Sequence, residues 1–294
     1  MNKIIVGIGE ILWDVFPDRK ILGGAPANFA YHVGQFGYEG YALSAIGKDL
    51  SGNEILESLA EKKLNYILER TNYPTGTVQV TLDQAGVPQY EICEQVAWDY
   101  IPLTPQMKAL AKVTKAVTFG SLAQRNDVSG KTINDFLDLL PDDAFRVFDI
   151  NLRQHYFSRD LIHQSLLKCN ILKINDEEVQ AVARLFDWKN LSEEEICLKL
   201  KKDYSLEIVV LTKGTAGSFV FARMGTSYFE TPKVNVADTV GAGDSFTAAF
   251  VAALLYGSSI QDAHQLAVEV SAYVCTQHGA MPVLPEALLN KLKK

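Results

Sequence analysis

Short apolar runs alternate with amphipathic segments along most of the chain, and from Ala116 onward the alternation is regular. It predicts strands at 116–119, 146–150, 171–174 and 207–212, and helices at 127–140, 159–168, 177–185 and 193–202. Further strands are predicted at 3–8 and 41–46, with a helix at 50–63. Because these strands are continuous apolar runs, they suit a parallel sheet with helices on both faces. We therefore expect an α/β fold with a mostly parallel central sheet.

A second kind of strand alternates polar and apolar residues, as a half-exposed strand does. Residues 77–83 and 88–94 predict a hairpin whose turn lies at 84–86. Since the other buried strands are continuous apolar runs, this hairpin is expected to belong to a different, antiparallel layer. Short strands are also predicted at 12–16 and 19–22, a closing hairpin at 217–222 and 226–230, and a helix at 260–276.

Composition and charge exclude several classes of function. The 294-residue chain has a net charge of −7 and no basic stripe, which disfavours a nucleic-acid partner. Its four cysteines lack a C-x-x-C spacing and its five histidines form no H-x-x-x-H pair, so neither a disulfide framework nor a transition-metal centre is expected. The N-terminus lacks the apolar region of a signal peptide, and the run at 246–256 is too short to span a membrane. We expect a cytoplasmic protein without a membrane partner.

The stretch 238–244, Asp-Thr-Val-Gly-Ala-Gly-Asp, runs directly into a strongly apolar helical segment. A glycine turn at a helix N-terminus presents unpaired N–H groups and the positive end of the helix dipole to an anion. Asp244 stands where that anion would bind. The arrangement suits a phosphoryl group that moves to a hydroxyl, because the amides hold the phosphate while Asp244 takes the hydroxyl proton. The plainer alternative is an ordinary helix start with an acidic first turn.

A second helix start follows the paired glycines Gly23 and Gly24 and includes Asn28. Such glycines permit a close approach of the backbone to a ligand, and Asn28 offers both a donor and an acceptor, although an ordinary helix start is the alternative. Asp14, near a strand end, is either a turn residue or an acceptor for a ligand hydroxyl. The partial G-x-G motif at 7–9 lacks a third glycine and is followed by a strand, which disfavours a dehydrogenase.

Five motifs resemble, in order, those of the ribokinase-like (PfkB) carbohydrate kinases. The string at 238–246 resembles the C-terminal signature Asp-Thr-x-Gly-Ala-Gly-Asp-x-Phe of that family. Gly-Gly-Ala-Pro-Ala-Asn at 23–28 resembles its sugar-binding motif, in a form nearer to fructokinases than to ribokinases. Between them, 149–153 is similar to Asp-Pro-Asn-x-Arg with isoleucine in place of proline, 175–178 to Asn-x-x-Glu, and 212–217 to the nucleotide loop Thr-x-Gly-x-x-Gly.

The resemblance implies a ribokinase-like three-layer fold that forms one domain over 1–294. A small β-sheet lid is expected from about 12–24 and 76–100, closing over the sugar and keeping water from the phosphoryl donor. The resemblance also implies ATP and Mg²⁺, and adds K⁺ as a monovalent cation. Because the lid strands are exposed edges, a homodimer through the lid is a further expectation.

The resemblance and the residue chemistry together assign the candidate site residues. Asp244 is the expected base, and Gly241, Ala242 and Gly243 are expected to hold the phosphoryl group. The expected sugar-binding residues are Asp14, Gly23, Gly24, Asn28, Gln124 and Arg153. The expected ATP-binding residues are Asn175, Thr212, Gly214, Gly217, Gly243, Val268 and Ser271. Glu178 is expected to reach Mg²⁺ through water, and Asp238, Val240 and Gln277 to bind K⁺. A surface ion pair for Arg153 and a helix cap at 175–178 are the alternatives.

The sequence therefore favours an ATP-dependent sugar kinase that phosphorylates fructose. Alternative acceptors are 2-keto-3-deoxygluconate, ribose or a nucleoside. Specificity would lie in the lid and in the loops that follow the strands, where the further candidates are Trp13, Gln79, Tyr90 and Trp98. A non-catalytic regulator that binds sugar or nucleotide on the same fold is the alternative from another class of function.

Overall fold

Successive side chains of a central strand pack in two different apolar clusters, one on each face of the sheet, so the molecule is built in layers. The computed structural model describes residues 3–82 and 88–293. On the strand Ile4–Ile8, Ile5 packs in one cluster, whereas Val6 and Ile8 pack in the other. Successive side chains of a strand point to opposite faces, so the strand is covered on both sides.

Two sheets form within the described residues. Their strands are β1 (Ile4–Ile8), β2 (Leu12–Val15), β3 (Lys20–Gly23), β4 (Glu39–Gly47), β5 (Asn65–Thr71), β6 (Gly76–Leu82), β7 (Pro88–Ile92), β8 (Thr114–Phe119), β9 (Phe145–Asp149), β10 (Ile171–Asn175), β11 (Ile208–Thr212), β12 (Ser218–Ala222) and β13 (Gly225–Phe229). The 9-stranded main sheet has the order β13-β12-β11-β10-β9-β8-β1-β4-β5, in which only the pairings of β12 are antiparallel. The predicted mostly parallel sheet and its closing hairpin are confirmed.

Helices cover both faces of the main sheet. They are α1 (Ala25–Gln35), α2 (Leu50–Glu61), α3 (Pro105–Ala111), α4 (Asp127–Asp138), α5 (Arg159–Lys168), α6 (Asp176–Leu185), α7 (Glu193–Asp203), α8 (Ala242–Tyr256), α9 (Ile260–Cys275) and α10 (Glu286–Leu289). Apolar residues of α1, α8 and α9 share one cluster, and those of α4 to α7 share the other. The three-layer prediction is therefore confirmed. Among the helices of the described residues, none combines the length and the apolar content needed to cross a membrane.

A separate 4-stranded sheet has the order β3-β2-β6-β7. β2 pairs antiparallel with β3 and parallel with β6, while β6 and β7 form the predicted hairpin. The predicted turn at 84–86 lies outside the described residues. Val78, Val80 and Ile92 of this sheet pack in the same cluster as α4 to α7, so one face of the small sheet is joined to the main core. Residues 97–100 form a short 3₁₀ helix beside it.

The sequence pattern missed the strand β5 and the helix α3. β5 lies at the edge of the main sheet, and its burial follows no regular alternation. α3 has only 7 residues, about two turns, which is too short for a helical period to show in the sequence.

Close contact between α1 and β1 fixes the helix that carries the second candidate motif. A Cβ atom added at Gly7 would lie 2.2 Å from the carbonyl oxygen of Pro26 and 2.7 Å from its Cα. The helix backbone therefore rests directly on the strand, at a distance that only glycine permits. Asn28 follows two residues later on the same helix.

Gly7→Ala is expected to destabilise the fold by about 1–3 kcal/mol, because the added methyl group must push α1 away from the sheet. Gly34→Ala on the same helix is the matched control. Its methyl group would meet no atom within 4 Å among the described residues outside its own turn, and this exposed site is expected to gain about 0.5–1 kcal/mol. Urea unfolding measures both variants. Wild-type stability of Gly7→Ala would contradict the contact.

Candidate active site

Polar side chains collect where the parallel strands end. β9 ends at Asp149, β10 at Asn175 and β11 at Thr212. The register places Lys173 beside Asp149 and Asn175 beside Thr212. Glu10 follows β1 and is buried. The carboxyl ends of parallel strands are the edge at which such sheets bind ligands, so this edge is the candidate active site.

A left-handed glycine begins α8. Gly241 has a φ of 77°, and a Cβ atom there would lie 2.7 Å from Cα of Ala280, so only glycine fits. Ala280 is held in turn by His32 of α1, whose Nε2 lies 2.8 Å from the Ala280 oxygen, and burial lowers the pKa of His32 to about 4. The first amides of an α-helix have no acceptor within the helix. Ala242 N donates to the Thr239 oxygen over 3.3 Å, so it is the glycine turn with the amides of Gly241 and Gly243 that lies where the sequence analysis expects an anion.

Asp244 lies in the first turn of α8 and is hydrogen-bonded to α1. Asn28 Nδ2 donates to Asp244 Oδ2 over 2.8 Å. The buried Asn28 Oδ1 has no partner among the residues that the structure describes. Burial and then the charge of Asp149 raise the pKa of Asp244 to about 6, against the opposing effects of Asn28, Lys173 and Arg153. Asp244 is therefore mostly ionised at neutral pH but binds a proton readily.

Two further carboxyl groups belong to the same cluster. Burial raises the pKa of Glu10 to about 7 and that of Asp14 to about 6, and the charge of Arg153 lowers both, as it does for Asp244. Glu10 and Asp244 also line one narrow cavity. Arg153 is exposed and donates to the Leu152 oxygen over 3.3 Å. Acidic residues that follow β1 or belong to β2 and α8 therefore lie around one exposed cation, Arg153.

The paired glycines leave room for these acids. A Cβ atom at Gly23 would lie 2.6 Å from Asp14 Oδ2. Gly24 is the N-cap of α1 with a φ of 116°, and its Cβ would lie 2.5 Å from the Glu10 carbonyl oxygen. The sequence-predicted residues Asp14, Gly23, Gly24 and Asn28 are therefore brought together beside Asp244.

Asn175 and Glu178 form a reciprocal helix cap. Glu178 N donates to Asn175 Oδ1 over 2.8 Å, and Asn175 N donates to Glu178 Oε2 over 2.9 Å. Glu178 Oε1 accepts from Leu152 N over 3.0 Å, and burial raises the pKa of this group. Within 3–82 and 88–293, no group of three or more His, Cys, Asp or Glu side chains is arranged to hold a metal ion. A metal here would need ligands from a bound molecule or water.

The loop after β11 has the backbone shape that its glycines allow. Gly214 and Gly217 have φ angles of 51° and 102°, and a Cβ at Gly217 would lie 2.6 Å from the Phe229 oxygen. Lys213 pairs with Glu193 over 2.8 Å. On α9, Val268 is buried in the apolar cluster shared with α8, and Ser271 is half-buried.

Asp238 fixes the segment that precedes the glycine turn. Its Oδ1 accepts from Val240 N over 3.0 Å, and its Oδ2 accepts from Gly279 N over 3.1 Å. Gln277 lies close by in the chain, and its amide donates to Thr276 Oγ1 over 2.8 Å. The carboxylate and the neighbouring carbonyl groups are oxygen donors, the kind that alkali and alkaline-earth cations prefer.

Gln124 is not brought to this cluster, contrary to the sequence-based expectation. Its Nε2 donates to the Gly120 oxygen over 2.8 Å and to Ser165 Oγ over 3.0 Å. The side chain lines a separate surface cavity of about 740 Å³, along α4 and α5. Of its two acceptors, Ser165 lies on α5, whereas Gly120 lines the cavity that also contains Glu10 and Asp244.

The further specificity candidates in and beside the small sheet lie in different surroundings. Trp98 is completely buried, and a Cβ atom at Gly76 would lie 2.3 Å from its Nε1, so its indole is part of the core. Trp13 is buried and donates from Nε1 to the Ser51 oxygen over 3.0 Å. Gln79 Nε2 donates to Thr77 Oγ1 over 3.4 Å. The side chain of Tyr90 lies outside what the structure describes.

Sequence reasoning gave no site role to three members of the cluster, Glu10, Asp149 and Lys173, although Asp149 begins the motif at 149–153. Two signals were present in the chain. Lys173 interrupts the apolar strand Ile-Leu-Lys-Ile-Asn, and Glu10 follows the buried strand β1 directly. A charged residue within a buried strand indicates a buried partner, because an isolated charge is costly there.

Comparison with known proteins gives the family. The chain is 27% identical to an ATP-dependent 6-phosphofructokinase of Thermoanaerobacterium thermosaccharolyticum over 96% of this chain and 91% of the relative. It is 25% identical to a fructokinase of Escherichia coli over 97% of each. Its fold is similar to that of a fructokinase with bound ATP from Xylella fastidiosa, at a TM-score of 0.85, 19% identity and coverage of 100% and 99%.

A second solved structure shares the fold. It is a fructokinase from Vibrio cholerae O395 in a form with bound fructose, ADP and calcium, at a TM-score of 0.82, 23% identity and 99% coverage of both chains. The model of the pfkB family carbohydrate kinases matches residues 12–287 of this chain. With nearly its whole length matched, and with both signature motifs meeting at Asp244, the chain belongs to the pfkB family of carbohydrate kinases.

Proposed function

We propose that the protein is an ATP-dependent fructokinase in which Asp244 is the catalytic base. The observation that carries the proposal is the position of Asp244. It lies in the first turn of α8 next to the glycine turn, it is hydrogen-bonded to Asn28, and burial raises its pKa to about 6. Relatives named fructokinase, which match nearly the whole chain, support the choice of sugar.

The proposed reaction moves one phosphoryl group. The hydroxyl oxygen of the sugar forms a bond to the γ-phosphorus of ATP, the bond from that phosphorus to the β,γ-bridging oxygen breaks, and ADP leaves. The hydroxyl proton passes to Asp244. The amides at Gly241, Ala242 and Gly243 stabilise the charge on the transferring group, since free amides at a helix start favour anions. A base whose pKa lies near the working pH suits this step.

The sugar is held by the residues of α1 and the small sheet. Asn28 Nδ2 is occupied by Asp244, whereas its Oδ1 is left to accept a bond from a sugar hydroxyl. The Asp14 carboxylate accepts a second hydroxyl, with Arg153 beside it. Gly23 leaves room for the Asp14 carboxylate, and Gly24 leaves room for the backbone of Glu10. Leaving a buried acceptor unpaired costs free energy. A sugar hydroxyl that donates to Asn28 Oδ1 would remove this cost.

The charge of the cluster favours a neutral acceptor. Four acids, Glu10, Asp14, Asp149 and Asp244, lie near two cations, Arg153 and the buried Lys173, and Lys173 is already paired with Asp149. An acceptor that carries its own carboxylate or phosphate would meet like charge. The proposal therefore prefers fructose to acid sugars such as 2-keto-3-deoxygluconate, and to fructose 6-phosphate.

The nucleotide is proposed to lie along the ends of β10 and β11. Asn175, Thr212, Gly214, Gly217, Val268 and Ser271 are its proposed contacts. Glu178 fits a Mg²⁺ ion reached through water, because each of its oxygens accepts one bond from the protein and keeps a further lone pair. Mg²⁺, when bound, neutralises phosphate charge. The oxygen donors of Asp238, Val240 and Gln277 suit K⁺. The solved structures of similar kinases with ATP, calcium or potassium support these assignments.

We propose that the whole chain, 1–294, acts as one domain in which the small sheet is a lid. Its strands carry Asp14 and Gly23, and its inner face joins the main core. Closing such a sheet over the sugar would exclude water from the phosphoryl donor. β3 and β7 are its edges, and pairing of these edges between two copies would give the proposed homodimer.

Asp244→Asn is expected to lower kcat by about 10²–10⁴-fold, because the amide cannot take the proton. ATP affinity and the unfolding temperature should stay close to wild type. Asp262→Asn is the matched control, since Asp262 occupies the same position in the first turn of α9 but is exposed. ADP release with fructose measures both variants. Equal activity of the two would support the plain helix-start interpretation instead.

The pH dependence of kcat/KM is expected to show an acid limb with a midpoint near the Asp244 pKa of about 6. The base must be ionised to accept a proton, so activity is full above this value and falls about tenfold per pH unit below it. Initial rates between pH 4.5 and 8.5 test this, and Asp244→Asn should lose the limb. An acid limb that persists in that variant would assign it to another group.

A panel of acceptors tests the sugar. We expect kcat/KM for fructose 6-phosphate and for 2-keto-3-deoxygluconate to be on the order of 10²-fold lower than for fructose, since like charges in contact cost several kcal/mol. Ribose, which is neutral, separates the effect of charge from the effect of shape. Preference for an anionic acceptor would overturn the charge argument. Absence of ADP release with every acceptor would favour a non-catalytic regulator.

A further inference from the structure

Lys173 is a buried cation in the centre of the main sheet. It belongs to β10, whose other central residues are the buried Ile171, Leu172 and Ile174. Only 8% of Lys173 is exposed. A lysine in such a place needs charged partners, because burial alone would drive it to the neutral form.

The partners of Lys173 connect it to the first turn of α8. Its Nζ donates to Asp149 Oδ1 over 2.9 Å and to Oδ2 over 3.0 Å. Thr247 Oγ1 of α8 lies 3.1 Å from the same Asp149 Oδ2 and 3.0 Å from the Gly243 oxygen, and these two acceptors share its single hydroxyl proton. The contacts form a continuous chain from β10 through β9 to the start of the helix.

Lys173 also lies directly beneath the glycine turn. A Cβ atom at Gly243 would be 3.1 Å from Lys173 Nζ. Burial acts to lower the pKa of Lys173, but Asp149 first, and then Glu178 and Asp244, offset this and raise it. The ammonium group is therefore charged, and its charge is placed below the amides that are proposed to hold the phosphoryl group.

The charged groups that face Asp244 come from four parts of the fold. Asp149 of β9 raises the Asp244 pKa, whereas Lys173 of β10 and Arg153 of the loop after β9 lower it. Glu10 after β1 interacts with Asp244 as well. Asp149 and Lys173 thus act on Asp244 in opposite directions although they are partners in one ion pair.

A purely structural role explains this pair poorly. Taking two charges out of water is expensive, and apolar residues of similar volume often stabilise a core as well as a buried ion pair does. The strand around Lys173 is apolar, so an aliphatic side chain would suit the same layer. The position of the ion pair beneath the start of α8 explains why charged residues are present there, which packing alone does not explain.

We propose that Lys173 is a positioning residue of the phosphoryl-transfer site: its ammonium, fixed by Asp149, keeps Asp244 ionised and holds the first turn of α8 in place. This inference rests on the proposed function, in which Asp244 is the base. Lys173 need not touch the sugar or the nucleotide, since it acts through Asp149, Thr247 and the electric field at Asp244.

Two variants that break the same ion pair separate the electrostatic role from a structural one. Lys173→Met removes the positive charge and is expected to raise the Asp244 titration midpoint by about one pH unit. Asp149→Asn removes the negative charge, keeps a hydrogen-bonding side chain, and is expected to lower the midpoint by a similar amount. Carbon-13 NMR titration of the Asp244 carboxyl group, assigned with Asp244→Asn, gives the midpoint without activity, and the acid limb of kcat/KM gives it during turnover.

Arg125→Met is the matched control. It breaks another buried ion pair, in which Arg125 Nε lies 2.8 Å from Asp99 Oδ1, and neither partner is among the groups that act on Asp244. We expect it to lower the unfolding temperature but to leave the Asp244 midpoint unchanged. If Lys173→Met does not fold, the downward shift in Asp149→Asn still tests the proposal.

Shifts of the two midpoints in opposite directions would support the role of Lys173. Shifts in the same direction, or no shift in either folded variant, would overturn it and leave the pair a structural one. A wild-type protein without kinase activity would contradict the proposed function alone, because the NMR titration still reports the effect of Lys173 on Asp244.

Discussion

Crowding of buried carboxyl groups at one edge of the central sheet is the constraint on which the rest of the site depends. Burial raises the pKa of Glu10, Asp14 and Asp244, and the negative charges of Asp244 and Asp149 raise the pKa of Glu10 and of Asp244, respectively, still further. The fold offsets this with few groups: the Asn28 side-chain amide and the Ala25 backbone of α1, and two cations, Arg153 and the buried Lys173. The positions of α1 and α8 relative to the sheet bring these groups and the carboxylates together. A small shift of either helix would leave a carboxylate without its compensation.

Local chemistry made much of this predictable from the sequence. The glycine turn at 241–243 can be read directly, because a left-handed residue at a helix start demands glycine whatever surrounds it. The same holds for the cap at Asn175 and Glu178, whose partners are three residues apart. The continuous apolar runs predicted a parallel sheet, because a strand buried on both faces shows no alternation of polar and apolar residues. In each case the determining contacts lie within a few residues of one another.

Contacts between distant segments could not be predicted in this way. Lys173 meets Asp149 only because β9 and β10 are neighbours in a particular register, and the sequence of either strand says nothing about that register. Gln124 illustrates the opposite error: it follows a strand end as the other site residues do, yet its acceptor Ser165 lies on α5. The edge strand β5 was missed because exposure on several sides removes the apolar pattern that marks a strand.

Helix α1 gives the molecule two separate responses to acid. It carries Asn28, bonded to Asp244, and one turn later His32, which backs the glycine turn through Ala280. Since the folded-state pKa of His32 is lowered from 6.5 to about 4, the unfolded chain binds that proton first, and its contribution to stability is lost as pH falls through this range. Asp244 acts oppositely: its pKa is raised from 3.8 to about 6, so the folded chain binds that proton first and protonation favours folding. Between about pH 6.5 and pH 4 the two linkages therefore act on the stability of the fold in opposite directions.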